Sequence, residues 1–432
     1  MNGSTGHSSV KNQNNDNCQR ESIFQTAGMV VDHFLSAREN QDVGFPLTKI
    51  HTFNRNREEQ EEVNNNSIDL FDPLFGPCMN HKDIKRTLRK NTNKKQAKSK
   101  RVNLKVTIAY RGADFCGWED QRHHLYRRES FDHGAIIGQN HSSTLNNSLP
   151  SVQGALVDVL DPILNERANA ASTPPDQHLS SEHTTRPIEI KVAGRTDAGV
   201  NAIAQMCRIR TRKTSFSDPH TNQTKSIDEV DTFVKYLVNE HAKKIGLGLS
   251  ITSVEKVGDD FHPTFCASCR AYAYLIDLDN IETGVKSQQA RMMTDIVPKL
   301  DSMLRSLEDQ PLDYIAFSYG KVKTQTTFCR LIRARAGIVK WNQCDSENLA
   351  REAICIELVA DRFLRRMVRI LVATALREAY GVKSDCSIDC REEHLISHET
   401  SNQLLNIVKM RDRTQCARAA PASGLIFVGA GY

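Results

Sequence analysis

Regular apolar patterning begins at about Val102 and recurs to the end of the chain, so a folded core can be built only from that point onward. The first hundred residues are rich in Asn, Gln, Ser and charge. Such a composition buries too little apolar surface to offset the entropy of ordering, and residues 1–100 are predicted to be a largely disordered extension. One short apolar island, Met29 to Phe34, has the makings of a helical turn or two. The remainder of the 432 residues is long enough for two subdomains with a sizeable core.

Within that remainder the period of the pattern changes repeatedly. Asn103 to Tyr110 alternates polar and apolar residues and reads as a strand. Val152 to Leu164 repeats its apolar residues at helical spacing, as does the run from Val230 through Phe233, Val234, Leu237 and Val238 to His241. Further helices are expected over Ile296 to Leu307 and Phe363 to Ala379, and one ending over Leu404 to Val408. Strands are expected at Ile188 to Val192, Ile203 to Ile209, Ile251 to Val257, Ala271 to Asp277, Arg330 to Val339, Ala353 to Val359 and Gly424 to Gly429. Strand runs mix with helices without strict alternation, which predicts an α+β fold. Residues 122–150 and 166–186 turn polar, the second with Pro174 and Pro175, and read as insertions.

The net charge of +5 says little by itself, but its distribution is uneven. From Lys82 to Arg101, ten cations face the single acid Asp83. A block of this kind repels itself and attracts phosphate backbones, or serves as a solvated linker or a nuclear-import signal. No apolar core of a signal peptide lies near the N-terminus, and acids scattered through the first sixty residues disfavour an organellar transit peptide. An intracellular protein is expected, with nucleus or cytoplasm favoured and an organelle as the alternative. Free thiols are then the default for the 12 cysteines. Cys266 and Cys269 form a CxxC and Cys386 and Cys390 a CxxxC, but a pair entering a strand three residues apart points to opposite faces, so no metal is expected. No apolar run is long enough to cross a membrane.

The most informative segment is Ala193-Gly194-Arg195-Thr196-Asp197-Ala198-Gly199-Val200, between two expected strands. Gly194 and Gly199 permit unusual backbone angles and close approach of a ligand. Asp197 at the tip of such a turn can project its carboxylate into a cleft, with Arg195 beside it to bind a phosphate or tune the acid. Taken alone, the segment is equally an Asx-type turn in which the aspartate caps its own backbone.

GRTDAGV resembles the signature of the tRNA pseudouridine synthase A (TruA) family, and five other segments are similar to that family in its own order. They are AYRGADFCGW at 109–118, SVQGAL at 151–156, FHPTFCASCRAYAYLI at 261–276, FLRRMVR at 363–369 and APASGL at 420–425. The resemblance spans residues 103–432. It implies the pseudouridine-synthase fold: two subdomains, 102–260 and 261–432, on a mostly antiparallel sheet with a central basic cleft. The implied activity is that of an isomerase converting uridine to pseudouridine in the tRNA anticodon stem-loop, at positions 38–40. A homodimer is implied, without a cofactor.

The residues suit that chemistry. Breaking N1–C1′ and joining C5 to C1′ is redox-neutral, and a carboxylate can act at a sugar or base carbon as nucleophile or base. By resemblance Asp197 is the catalytic nucleophile, Arg369 the cation that keeps it ionised, and Tyr272 the catalytic and stacking aromatic. Arg195, Leu425, Arg365 and Arg366 join Tyr272 as substrate-binding residues. Arg362, Arg365, Arg366 and Arg369 at spacings of three and four would share neighbouring rows of one helix. Tyr274 on the same strand face reads as core, as do Tyr110, Phe115 and Trp118, while Phe317 and Ser318 are candidates to line the cleft. Three departures from the family pattern stand out: Glu119 and Asp120 after Trp118, Arg365 and Arg366 in place of paired histidines, and Asn201 where histidine is frequent. Two rival readings are a non-catalytic tRNA-binding protein or RNA chaperone on the same scaffold, and a base-releasing glycosidase.

Overall fold

The computed structural model describes residues 26–37, 50–51, 101–120, 149–165, 188–213, 215–217, 223–226, 229–278, 293–322, 324, 326–342, 350–381 and 403–432. The remainder of 1–100, including the basic run up to Lys100, lies outside the described residues. So do the insertion 166–186, all but 149–150 of the insertion 122–150, and Cys386 and Cys390.

In chain order the elements are α1 (Thr26–Ala37), β1 (Ile50–His51), β2 (Val102–Tyr110), α2 (Val152–Leu164), β3 (Glu189–Val192), β4 (Asn201–Thr211), β5 (Ser215–Ser217), β6 (Thr224–Ser226), α3 (Val230–Lys244), β7 (Leu249–Val257) and β8 (Cys269–Asp277). They continue with α4 (Val297–Arg305), β9 (Pro311–Asp313), β10 (Phe328–Asn342), β11 (Ala350–Ala360), α5 (Met367–Tyr380), α6 (Gln403–Met410) and β12 (Leu425–Gly431). The described residues fall into two compact units. One holds residues 101–268 with Tyr432, the other the described parts of 26–51 and 269–431. The strand pairings within both units are antiparallel, as expected of an α+β chain.

In the first unit β3, β4, β2 and β7 lie side by side in that order. Leu104, Val106 and Ile108 of β2 are fully buried with Cys207 and Ile209 of β4 and Ile251 of β7. Helix α3 packs on β7, and α2 packs on α3. The Ser151 hydroxyl caps α2 by accepting from the Gly154 amide at 2.9 Å. Val152, Leu156, Leu160 and Leu164 then face inward, each such burial contributing about 1.5–3 kcal/mol. Polar residues at alternate strand positions pair among themselves: Lys105 with Glu255, and Arg208 and Arg210 with Glu189. Tyr432 lies on Phe261 and Lys105 and donates its hydroxyl to the Pro263 carbonyl at 2.8 Å.

In the second unit the order is β1, β10, β11, β8, β12, with β9 on the other end of β10. All nine residues of β8 are buried. The strand lies between β11 and β12 and packs against α1, which is why its sequence is nearly continuously apolar rather than alternating. Helix α1 itself exceeds the expected turn or two and buries Ala27, Val30 and Val31. Between β10 and β11, Glu357 is 3% exposed and its carboxylate lies 3.4 Å from Arg333. Burial pushes this carboxyl up to about 7, against the downward pull of Arg333.

Two expectations are corrected. The helix expected from Phe363 begins at Met367, so the four arginines do not share helix rows: Arg362, Arg365 and Arg366 precede it, and only Arg369 lies on it. Arg366 has φ 59, a left-handed conformation that no right-handed helix continues through. The carbonyl of Arg365 accepts from the Tyr319 amide, the Asp361 amide donates to the Arg330 carbonyl, and the Asp361 carboxylate accepts from the Arg330 amide, so these groups are spent outside a helix. Cys266 does not enter a strand, because β8 begins at Cys269. Cys266 instead closes a turn, its sulfur accepting from the His262 amide and donating to the Asp260 carbonyl.

Candidate active site

The Asp197 turn connects β3 to β4 and is locked to the segment that follows β2. The Trp118 amide donates to the Thr196 carbonyl at 3.1 Å, and the Thr196 and Tyr110 hydroxyls are 2.7 Å apart in the buried interior. Gln205 on β4 donates to the Gly194 carbonyl at 2.8 Å and reaches the Tyr110 hydroxyl at 3.5 Å. Burial pushes the Tyr110 phenol up to about 12, so it remains a protonated structural group. Phe115 and Trp118 pack with Tyr110 and are equally buried, as residues of the fold.

Two glycines make this contact possible. A Cβ on Gly112 would fall on the Gly199 and Val200 backbone, and one on Gly117, whose φ is +116, would crowd Thr196 and Ala198. Asn201, the position where the family pattern was broken, supplies the remaining bond. Its carboxamide oxygen, in a side chain 2% exposed, accepts from the Gly112 amide at 2.9 Å. Its role spans 89 residues and leaves no local signature in the sequence. The outcome is a half-buried Asp197 on a turn whose own carbonyl accepts from Val200 at 3.3 Å.

Arg195 is two residues away and exposed. It forms an ion pair of 2.9 Å with Glu119, one of the two acids whose presence near an RNA surface was unexpected. The other, Asp120, is 8% exposed.

The other sequence-derived candidates belong to the second unit. Tyr272 on β8 is 9% exposed and meets Phe363 and Phe427 edge to face, with centroids 5.2 and 5.0 Å away. Leu425 opens β12 and pairs in register with Tyr274; it is 4% exposed, as a core leucine would be. Gly424 accepts the edge of the Tyr274 ring, whose hydroxyl donates to the Pro421 carbonyl at 3.0 Å. Burial raises the Tyr274 phenol well above its ordinary range, with Arg369 pulling the other way. Arg369 donates through Nε to the Ala420 carbonyl at 2.6 Å, and its own carbonyl accepts from the Ala420 amide. Helix α5 and the APASGL segment are thereby tied together, which brings Arg369, Tyr274 and Leu425 into one neighbourhood.

Arg362 donates to the Thr326 carbonyl at 2.7 Å. Arg365 and Arg366 instead flank the ring of Tyr319, with guanidinium carbons 5.5 and 4.0 Å from its centroid. Sequence reasoning singled out Phe317 and Ser318 and passed over Tyr319. Phe317 is fully buried, whereas Tyr319 is 46% exposed. No helix among the described residues is long and apolar enough to cross a membrane.

No family model matches the chain. It is 25% identical over 332 residues to tRNA pseudouridine synthase A of Leptospira biflexa, covering 76% of this chain and 94% of that protein. It is 24% identical over 332 residues to tRNA pseudouridine synthase A of Ehrlichia chaffeensis, covering 77% of this chain and 100% of that protein. Against tRNA pseudouridine synthase A of Chloroflexus aurantiacus it is 27% identical over 245 residues, 56% of this chain and 73% of that protein.

Proposed function

We propose that this chain is a member of the tRNA pseudouridine synthase A (TruA) family, to whose members it is similar over about three quarters of its length, and that it isomerises uridine to pseudouridine in tRNA with Asp197 as the reacting carboxylate. The observation that carries the reading is the half-buried aspartate on a turn pinned by Asn201, Gln205 and the Gly112 contact. A nucleophile or base acting at carbon has to be held in one position and kept ionised, and a turn clasped at both ends holds it. The N1–C1′ bond breaks, the uracil turns, C5 joins C1′ as its proton departs, and N1 takes up a proton, so the product is an isomer of the substrate. No electrons leave the substrate, so an electron carrier has no part in it.

In this reading Arg369 is a catalytic residue together with Asp197 and Tyr272. Tyr272 stacks on the extruded base and serves proton transfer, and Leu425 packs on the base. Arg195, Arg365 and Arg366 bind the RNA backbone, the usual role of cations that fix register rather than read bases. The substrate uridines lie in the anticodon stem-loop, positions 38–40. The chain acts as a homodimer, inside the cell where tRNA is found. Residues 82–101 add a basic arm.

The test is pseudouridine mapping in host tRNA treated with the wild-type chain and with Asp197→Ala. The wild type is expected to form pseudouridine, and the variant to bind tRNA with affinity within about threefold while forming none. Equal product from both proteins would overturn the role of Asp197. Tight tRNA binding with no product from the wild type would favour a non-catalytic binder, and released uracil a glycosidase.

A further inference from the structure

We propose that Tyr319, with Arg365 and Arg366, is a stacking platform for one base of the tRNA other than the uridine that reacts. The inference rests on the reading of tRNA as substrate and extends it to a residue that reading does not use. Among the described residues Tyr319 is one of six large aromatic rings left exposed, at 46%. Two cations are organised around it. The Arg366 guanidinium lies 4.0 Å from the ring centroid and that of Arg365 5.5 Å away.

The backbone builds this cluster from two loops 46 residues apart. The Tyr319 amide donates to the Arg365 carbonyl at 3.1 Å, which sets the tyrosine loop against the approach to α5. Gly320 follows in a left-handed conformation, φ +72, and Arg366 adopts φ 59, a conformation unfavourable for a residue with a Cβ. The Arg366 carbonyl then accepts from the Ile370 amide, so the left-handed residue is also the first anchor of the helix. The chain accepts a strained arginine at the position where its guanidinium meets an exposed ring.

Such a ring with two forked cations has a chemical complement. A purine or pyrimidine offers a flat face to the tyrosine, and its phosphates offer oxygens to the guanidiniums. Bases splayed from single-stranded loops are recognised in this way on aromatic rings and arginine planes. A loop nucleotide satisfies both halves at once, and a stem phosphate satisfies only the arginines. The ligand class is therefore an unpaired nucleotide of the tRNA.

Tyr319→Ala, Tyr319→Leu and Tyr319→Phe in the full chain test this, with an unmodified host tRNA transcript as probe. Loss of one stacked base weakens binding about fivefold or more. KM for the transcript is expected to rise by at least about fivefold in the alanine and leucine variants, with kcat within about twofold. Phenylalanine should restore it, and the dependence of affinity on salt should keep its slope. An unchanged KM in the alanine variant overturns the platform, and so does failure of phenylalanine to restore it. A KM increase accompanied by a salt slope shallower by about one phosphate overturns it too, because the ring would then only hold the arginines in place. The same substitutions in the Asp197→Ala background, read by tRNA affinity alone, separate the two readings. Absence of pseudouridine with the wild-type chain sinks the activity, while unchanged affinity on losing Tyr319 sinks the platform alone.

Discussion

Glu119 and Arg195 face each other at 2.9 Å beside the turn that carries Asp197. The arginine proposed to hold RNA is thus already held by an anion of its own chain, and a phosphate has to displace it. Both side chains are well exposed, at 68% and 40%, so the pair contributes at most about 1 kcal/mol. Glu119→Gln is expected to lower KM for tRNA by up to about fivefold and leave kcat nearly unchanged. In an Arg195→Gln background the same change should do nothing. Steady-state kinetics of the four proteins at two salt concentrations check this, and an effect that persists without Arg195 would assign it to general repulsion instead.

The contact between the Asp197 turn and the segment after β2 is tight enough to measure. Asn201→Ala leaves the buried Gly112 amide without its acceptor and should cost about 1–3 kcal/mol of unfolding free energy. Gly112→Ala drives a methyl into the Gly199 and Val200 backbone, which has no flexible end to yield, and should cost at least as much. Denaturant melts of both variants test the ranking.

Gly424→Ala addresses the second unit. Its methyl would lie 2.7 Å from the Tyr274 ring, which is fully buried, so the ring has to move and its bond to the Pro421 carbonyl is lost. A loss of about 1–3 kcal/mol is expected. Tyr274→Phe removes only the hydroxyl and should cost about 1 kcal/mol. Equal losses in the two variants would assign the whole effect to the hydrogen bond.

Glu357 makes stability depend on pH. Its carboxyl is raised by burial from 4.5 to about 7, so the folded state holds the proton more strongly than the unfolded chain does. The stability this contributes is complete below about pH 4.5 and is lost as pH rises through about 7. By linkage the loss is on the order of 3 kcal/mol. Glu357→Gln does not titrate, so the fall in stability between pH 5 and pH 8 should shrink by that order. Melts at both pH values for wild type and variant measure it, and an identical fall in both proteins would exclude Glu357 as the source.

What the sequence made legible follows from how local each signal is. Helix α2 was read to its exact ends because the Ser151 cap and the apolar spacing both lie within it. Most long strands were read with ends short by one to three residues, those at Glu189 and Leu425 were begun one residue early, and the short strands β1, β5, β6 and β9 were not read. Alternation weakens where polar residues such as Asn103 and Arg270 are themselves buried. The start of α5 was misread because nothing local announces a left-handed Arg366, which a carbonyl-to-amide bond from Arg365 to Tyr319 accompanies. Asn201, Glu119 and Tyr319 share that cause: the partner of each is distant in sequence, so composition and period are silent about it. The turn that carries Asp197 was legible because glycines flank it, and the role of Gly112 in accommodating that turn was not.

The clasp between Gly112 and Gly199 also governs motion. A surface loop that opened on its own would expose its amides on a short timescale, but the Gly112 and Trp118 amides bond to groups of the opposite turn. Exchange of those protons with solvent requires the two turns to part, and that separation disrupts the buried Tyr110–Thr196 contact beneath them. The Asp197 carboxylate is therefore not carried on a breathing lid. It rides on a turn that moves only together with the segment it is bonded to.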